Sequence, residues 1–216
     1  VRWSRARSSH ANALSLSPSA AYPLAITYAL KGVTSSFTGM VSGAIEARKS
    51  GAKLDAVLAS TGGAAGVTGE EIRRLAGDLQ LVTDFEDDAT IAAAGVLATF
   101  TQVKGDVFKE AIVSAQNLSA VMGQDLQSSV VQIGKALNDP VKGITALSRV
   151  GVSFTQQQKD QITQMTKAGN IAGAQAVILK ELQTEFGGAA EAMSSPFTRI
   201  GNIVGDVAEG IGSGFL

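Results

Sequence analysis

The sequence predicts an all-α chain, a multi-helix domain of about eight short helices joined by Gly, Asn and Pro turns, preceded by a disordered N-terminal extension. Three observations carry this reading. Apolar residues recur at spacings of three and four, and residues that open helices follow closely on residues that close them. Strand-like alternation is nearly absent, Val150 to Phe154 being the one short candidate, and that stretch already serves as a helix connection. Composition points the same way: with 24 glycines and only 5% aromatic residues, closely packed small-residue helices suit the chain better than a large aromatic core.

Charge and residue usage remove several function classes. A formal net charge of -1 gives no positive field for phosphate contacts, so strong nucleic-acid binding by this segment is not expected. Without cysteine there is no disulfide framework and no thiolate metal site. No apolar run approaches the ~20 residues of a membrane-spanning helix. Leu14 to Leu30, broken by Pro18 and Pro23, makes a poor signal peptide. The chain starts at Val1 rather than methionine, so a partial reading frame, a fragment and a processed product all fit.

Residues 1–22 read as the disordered or out-of-family extension: Arg2, Arg5 and Arg7 in a serine-rich context, then prolines, with His10 lacking any ligand partner nearby. From Leu24 to Thr61 the pattern is helical, Val33, Phe37, Val41, Ala44 and Ile45 lying on one side. The Gly39 to Gly43 spacing suggests a close helix contact, and the flanking polar residues favour a kinked soluble helix over a lipid-facing one. Thr61 to Gly66 is a small-residue loop, read as a flexible joint because it lacks the strand, lysine and hydroxyl of a phosphate cradle. Thr68 and Glu71 then have capping-box spacing, with Val67 placed to staple onto Ile72, and Ile72, Leu75, Ala76, Leu79 and Val82 form a helical stripe.

Asp84, Glu86, Asp87 and Asp88 make the one dense acidic cluster. A hard-cation site is the sharp interpretation, but calcium-loop spacing is missing and acidic residues at a helix start are favoured by the partial positive charge there. The helix that follows carries Ile91, Ala94, Val96, Leu97 and Phe100. Another, from near Asp106 to Gly123, carries Val107, Phe108, Ala111, Ile112, Ala115, Leu118 and Val121, and Asp125 opens the next.

The densest punctuation lies between Gln132 and Phe186. A helix through Gly134 reaches Asn138, which tolerates the left-handed conformation that ends helices. Asp139 and Pro140 restart the chain as N-cap and first helical residue. That helix should end near Arg149, with Gly151 left-handed and Val152 folded back on Leu147. Thr155 and Gln158 form a second capping-box pattern opening Gln156 to Ala168, with Ile162 and Met165 facing inward. Gly169 stops this helix and Asn170 caps the next, whose apolar residues Ile171, Ala174, Val177, Ile178, Leu182 and Phe186 precede Gly187 and Gly188. Beyond, a Ser-Ser-Pro break at 194–196 leads to Ile200, Ile203, Val204, Val207 and Ile211 at helical spacing, thinned by glycine, which reads as a helix lacking its downstream partner.

The run GKALNDPVKGITALSRVGVSFT, followed by QITQMTKAGNIAGAQAVILKELQTEFGGAAEA and preceded by LAGDLQLVTDF, resembles the tail length tape-measure proteins of long-tailed bacteriophages and prophages, over about Ser42 to Met193. The resemblance implies a helical tape-measure domain over residues 24–193, with 194–216 starting a downstream helical segment of a longer protein. It further implies a structural, non-enzymatic role: tail tube assembly and length determination, with ejection ahead of DNA. Implied partners are the tail tube protein, tail assembly chaperones and tail tip proteins, with membrane contact open to the intact protein. The implied location is the virion tail, assembled in the host cytoplasm.

Two other classes rest on residues alone. A membrane-interacting helical protein would use the glycine-spaced apolar segments at both ends. A cell-wall hydrolase would need paired carboxylates from Glu70, Glu71, Glu181, Glu185 or Glu191, each of which reads as lying on a solvated helix face. One histidine and no cysteine leave no persuasive nucleophilic arrangement. No catalytic, cofactor-binding or metal-ligating residue is therefore assigned. The residues singled out are structural: Gly134, Asn138, Asp139, Pro140, Gly151, Thr155, Gly169, Asn170 and Gly187.

Overall fold

The computed structural model describes residues 41–214, and the expected disordered extension over 1–22 lies outside them, as do 24–40 of the first expected helix. The described residues form helices and turns without a strand. Helix α1 covers residues 41–60. It is followed by α2 (Gly69–Gln80), α3 (Asp87–Leu97), α4 (Asp106–Met122), α5 (Leu126–Asn138), α6 (Pro140–Arg149), α7 (Gln156–Lys167), α8 (Ile171–Phe186), the single turn α9 (Ala189–Ala192) and α10 (Pro196–Ser213).

Local chemistry accounts for most of these boundaries. Thr68 and Glu71 form a complete capping box at the start of α2, and Val67 and Ile72, placed to staple that end, are both buried. Asp87 and Asp88 lie in the first turn of α3, where the exposed amides favour negative charge. Gly123 closes α4 at φ +62°, and Asp125 caps α5 by accepting from the Ser128 amide at 2.8 Å. Residues 61–66, expected as a flexible joint, are instead a hydrogen-bonded turn. Gly62, Gly63 and Gly66 take positive φ, Ala65 is buried, and its carbonyl accepts from the Gly105 amide at 2.8 Å.

Helix α4 is the axis of the packing, flanked by α3, α5, α8 and α9. Its burial extends round the helix, taking in Phe108, Ile112 and Leu118 together with Ser114, Gln116 and Asn117. Helix α5 lies between α3, α4 and α6, while α7 closes over α6 and α8. One contiguous core results, running from Leu54 of α1 through Leu97, Phe108 and Ile133 to Ile178 and Leu182. Three sequence assignments fail on facing: Ile45 is 50% exposed, Val121 is 46% exposed, and Val82, which lies beyond the end of α2, is 37% exposed, since the apolar stripe overshoots the contact.

Two glycines allow close approaches around α5. A Cβ at Gly134 would stand 2.5 Å from the Phe100 ring, and one at Gly143 would overlap the backbone of Ala136, because α5 and α6 are joined by a single residue. We expect Gly143→Ala and Gly134→Ala to destabilise the chain by about 1–3 kcal/mol through overpacking. Gly77→Ala in α2, where nothing lies within 4 Å, should stabilise by roughly 0.5–1 kcal/mol. Urea unfolding of the three variants checks the opposite signs.

Candidate functional site

The predicted turn residues come together as three successive chain reversals between α5 and α8. At the first, Asn138 is not the left-handed terminator expected of it but the last residue of α5, its side-chain oxygen accepting from the Gln102 amide at 3.3 Å. The chain turns instead at Asp139, at φ -137° and ψ 85°. Proline restricts the residue before it to extended conformations, so Pro140 makes Asp139 the breaking point. Asp139 also caps α6 by accepting from the Lys142 amide at 3.4 Å, and its carboxyl sits below the usual carboxylate range because the Lys142 ammonium bonds to it.

The second reversal closes with Gly151 at φ +104°. The Val152 amide donates to Leu147 and the Gly151 amide to Ser148, the paired bonds of a Schellman ending, with Leu147 and Val152 both buried. Thr155 and Gln158 then form the second complete capping box. Two glutamates of α8 hold this connection. Glu185 accepts from the Ser153 amide at 2.7 Å, and Glu181 accepts from the Gln158 side-chain amide. These carboxylates were expected on a solvated face; their bonds cross 32 and 23 positions of sequence, beyond any local pattern.

The third reversal uses Asn170 twice. Its amide donates to Met165 while the Gly169 amide donates to Thr166, ending α7, and its side chain accepts from the Gly173 amide at 2.9 Å, starting α8. At the far end of α8, Gly187 has φ -55° and Gly188 takes the left-handed place at +78°. The most consequential residue the sequence reading passed over is Gln175. Only 2% exposed, it donates from one amide nitrogen to the carbonyls of Leu137 and Gln102, both at 2.9 Å, and so ties the end of α5 to α8. Asn117 does the same for α9, accepting from the Ala190 amide at 3.0 Å.

The carboxylates serve structure. Glu71 accepts from the Thr68 amide and hydroxyl and pairs with Lys109 at 3.2 Å, and these bonds, led by the backbone amide, hold its carboxyl down to about 2. Its support of α2 is thus present above the ordinary carboxylate value of 4.5 and is lost as pH falls through about 2. Glu70 pairs with Arg74 within its own helix. In the acidic cluster, Asp84 accepts from the Ser195 amide, Asp88 from the Ser50 hydroxyl, and Asp87 from the Asp88 amide. Among the described residues no three His, Asp or Glu side chains are grouped to hold a metal ion.

One surface groove, about 640 Å³, lies between α4 and α8 and is lined by Val113, Ala176 and Leu179 together with Lys109, Glu110 and Lys180. The large exposed apolar side chains concentrate on α10, where Phe197, Ile200, Val204 and Val207 are each more than half exposed. No helix among the described residues is long and apolar enough to cross a membrane.

What the geometry displays is scaffolding, and the sequence comparison agrees. Residues 16–163 match the prophage tail length tape measure protein family, more than half of the chain. The chain belongs to that family. The matched stretch runs through α1 to α6 and into α7, while α8 to α10 fall beyond it. No curated protein and no solved structure matched. Tape-measure proteins form a structural family of the phage tail, not an enzyme family, and membership gives this chain a structural role in the tail and tail proteins as its general partners.

The reversals give graded expectations for this tape-measure segment. Thr155→Ala, which dismantles a complete capping box, should cost about 1–2 kcal/mol; Asp139→Ala, whose cap bond is long, should cost closer to 0.5 kcal/mol. Gly151→Val should cost more than either, since a β-branched residue is a poor occupant of positive φ. Gln175→Leu should cost about 1–3 kcal/mol by leaving the buried carbonyl of Leu137 and the half-buried one of Gln102 without this donor. Thermal melts of the four variants give the ranking.

Proposed function

We propose that this segment is the folded-back assembly module of a tape-measure protein, a compact body rather than a stretch of extended ruler. In this reading the domain spans residues 24–193 and residues 194–216 begin a further helical segment. The intact protein sets tail length along the tube, engages tube subunits, assembly chaperones and tip proteins, and leaves ahead of DNA. The observation that carries the proposal is the sequence of three reversals, each supplied with a stop and a cap, which returns α6, α7 and α8 onto one core. A continuous helix would advance roughly 1.5 Å per residue, and these helices, 10, 12 and 16 residues long, are turned back instead.

An in-frame deletion of Pro140 to Ala168 from the parent protein removes α6 and α7 and uncovers the apolar faces of α5 and α8. The expected result is blocked tail assembly. Electron micrographs showing normal particles with proportionately shortened tails would mean that the stretch is extended ruler and that the compact reading is wrong.

A second reading rests on α10 and its exposed apolar face, which suits contact with a membrane surface. Sedimentation of the 216-residue chain with liposomes tests it. A chain left in the supernatant, with or without anionic lipid, rules that contact out.

A further inference from the structure

Helix α10 is seated with its polarity reversed. Phe197, Ile200, Ile203, Val204, Val207 and Ile211 are 43–86% exposed, whereas Asn202, Asp206 and Glu209, beside the small Gly205 and Ala208, are what it sets against the body. Asn202 is buried, with its amide nitrogen unpartnered. Asp206 accepts from the side-chain amide of Gln80, whose oxygen in turn accepts from the Asp87 amide at 3.0 Å, so one glutamine stitches α10 to the first turn of α3. Glu209 lies over α1, its Cγ 3.0 Å and its Oε1 3.2 Å from where a Cβ on Gly43 would stand.

The seat itself is acidic. In one hollow Asp206 and Glu209 meet Asp87 and Arg48; in the adjoining one Glu209 meets Glu46, Glu86, Asp88, Lys49 and Lys53. The ion pairs among the described residues lie elsewhere, and none joins Arg48, Lys49 or Lys53 to these carboxylates. Asp206 has its amide donor and Asp88 has the Ser50 hydroxyl, but Glu209 makes no hydrogen bond or ion pair among the described residues. A partly dry carboxylate beside like charges, without a donor, opposes its own burial. The large apolar side chains of α10 offer nothing in return, since they face away.

We propose that α10 is a latch whose seating on α1 and α3 depends on proton uptake at its carboxylate contact, seated when Glu209 is neutral and released about the 194–196 connection when the surrounding carboxylates are all charged. Burial, then the charges of Asp88, Asp87, Asp206 and Glu86, push the Glu209 carboxyl up to about 6 from 4.5, and Asp206 and Asp88 are raised as well, burial first in each. A raised carboxylate means that the seated form holds more protons than the released one. Seating is therefore complete below about 4.5 and weakens as pH rises through about 6. Arg48, Lys49 and Lys53 on the rim temper the repulsion, and added salt screens it.

The chain lacks cysteine, so two spin labels can be placed without background, at Thr198→Cys on α10 and Ala56→Cys on α1. Pulsed electron resonance at about pH 5 should give one short distance, and at about pH 7.5 the ratio of released to seated chains should rise on the order of tenfold. Glu209→Gln, which keeps the shape and removes the charge, should stay seated at both pH values, with circular dichroism matching the parent. Asp88→Asn approaches the same charge from α3 without altering α10 and should weaken the response. An unchanged distance distribution in the parent across the two pH values overturns the proposal, and so does a full response retained in both variants.

Discussion

Helices joined by one to six residues carry their ends into the interior, and the amides and carbonyls there must find partners inside the protein. That constraint governs the body from α4 to α9. Each end leaves orphan groups whose burial unsatisfied would cost about 1–3 kcal/mol apiece, a large share of the margin of any domain. The chain meets the demand in two ways. Caps such as Thr155 and Asn170 act within their own turn. Gln175, Asn117 and Glu185 reach across the fold to ends made far away in sequence.

This division explains what the sequence made legible. Capping boxes at Thr68 and Thr155, the glycines at 151 and 169 and the cap at 170 are local events, written within three or four residues, and they could be read directly. The end of α5 was placed correctly but given the wrong agent. Asparagine is a common left-handed residue, yet proline two positions later restricts Asp139 more strongly than Asn138 relaxes. Gln175 was invisible because a glutamine in an apolar stripe looks like any solvated one. Its meaning comes from Leu137 and Gln102, which no spacing rule connects to it. The α10 stripe was legible as a pattern, but a pattern does not say which side faces the body, and here the polar side does.

Family membership and geometry meet on the same point. The family is a structural one, and the polar groups at the turns of this chain go to closing helices. The contrast between the two capping boxes fits this. Glu71 carries a charge and a lysine partner, whereas Gln158 does the same work neutral, held by Glu181. Stability is therefore distributed over many small local devices, and the body has no single residue on which all the turns depend.

Asn170 carries a further consequence. Because one residue both finishes α7 and starts α8, there is no slack between them. A helix turns 3.6 residues per revolution, so one inserted residue would rotate everything beyond it by about 100°. Such a rotation would swing Gln175 off the carbonyls of Leu137 and Gln102 and Glu185 off the Ser153 amide. In a family named for gauging length, this stretch is therefore one that does not readily change its own.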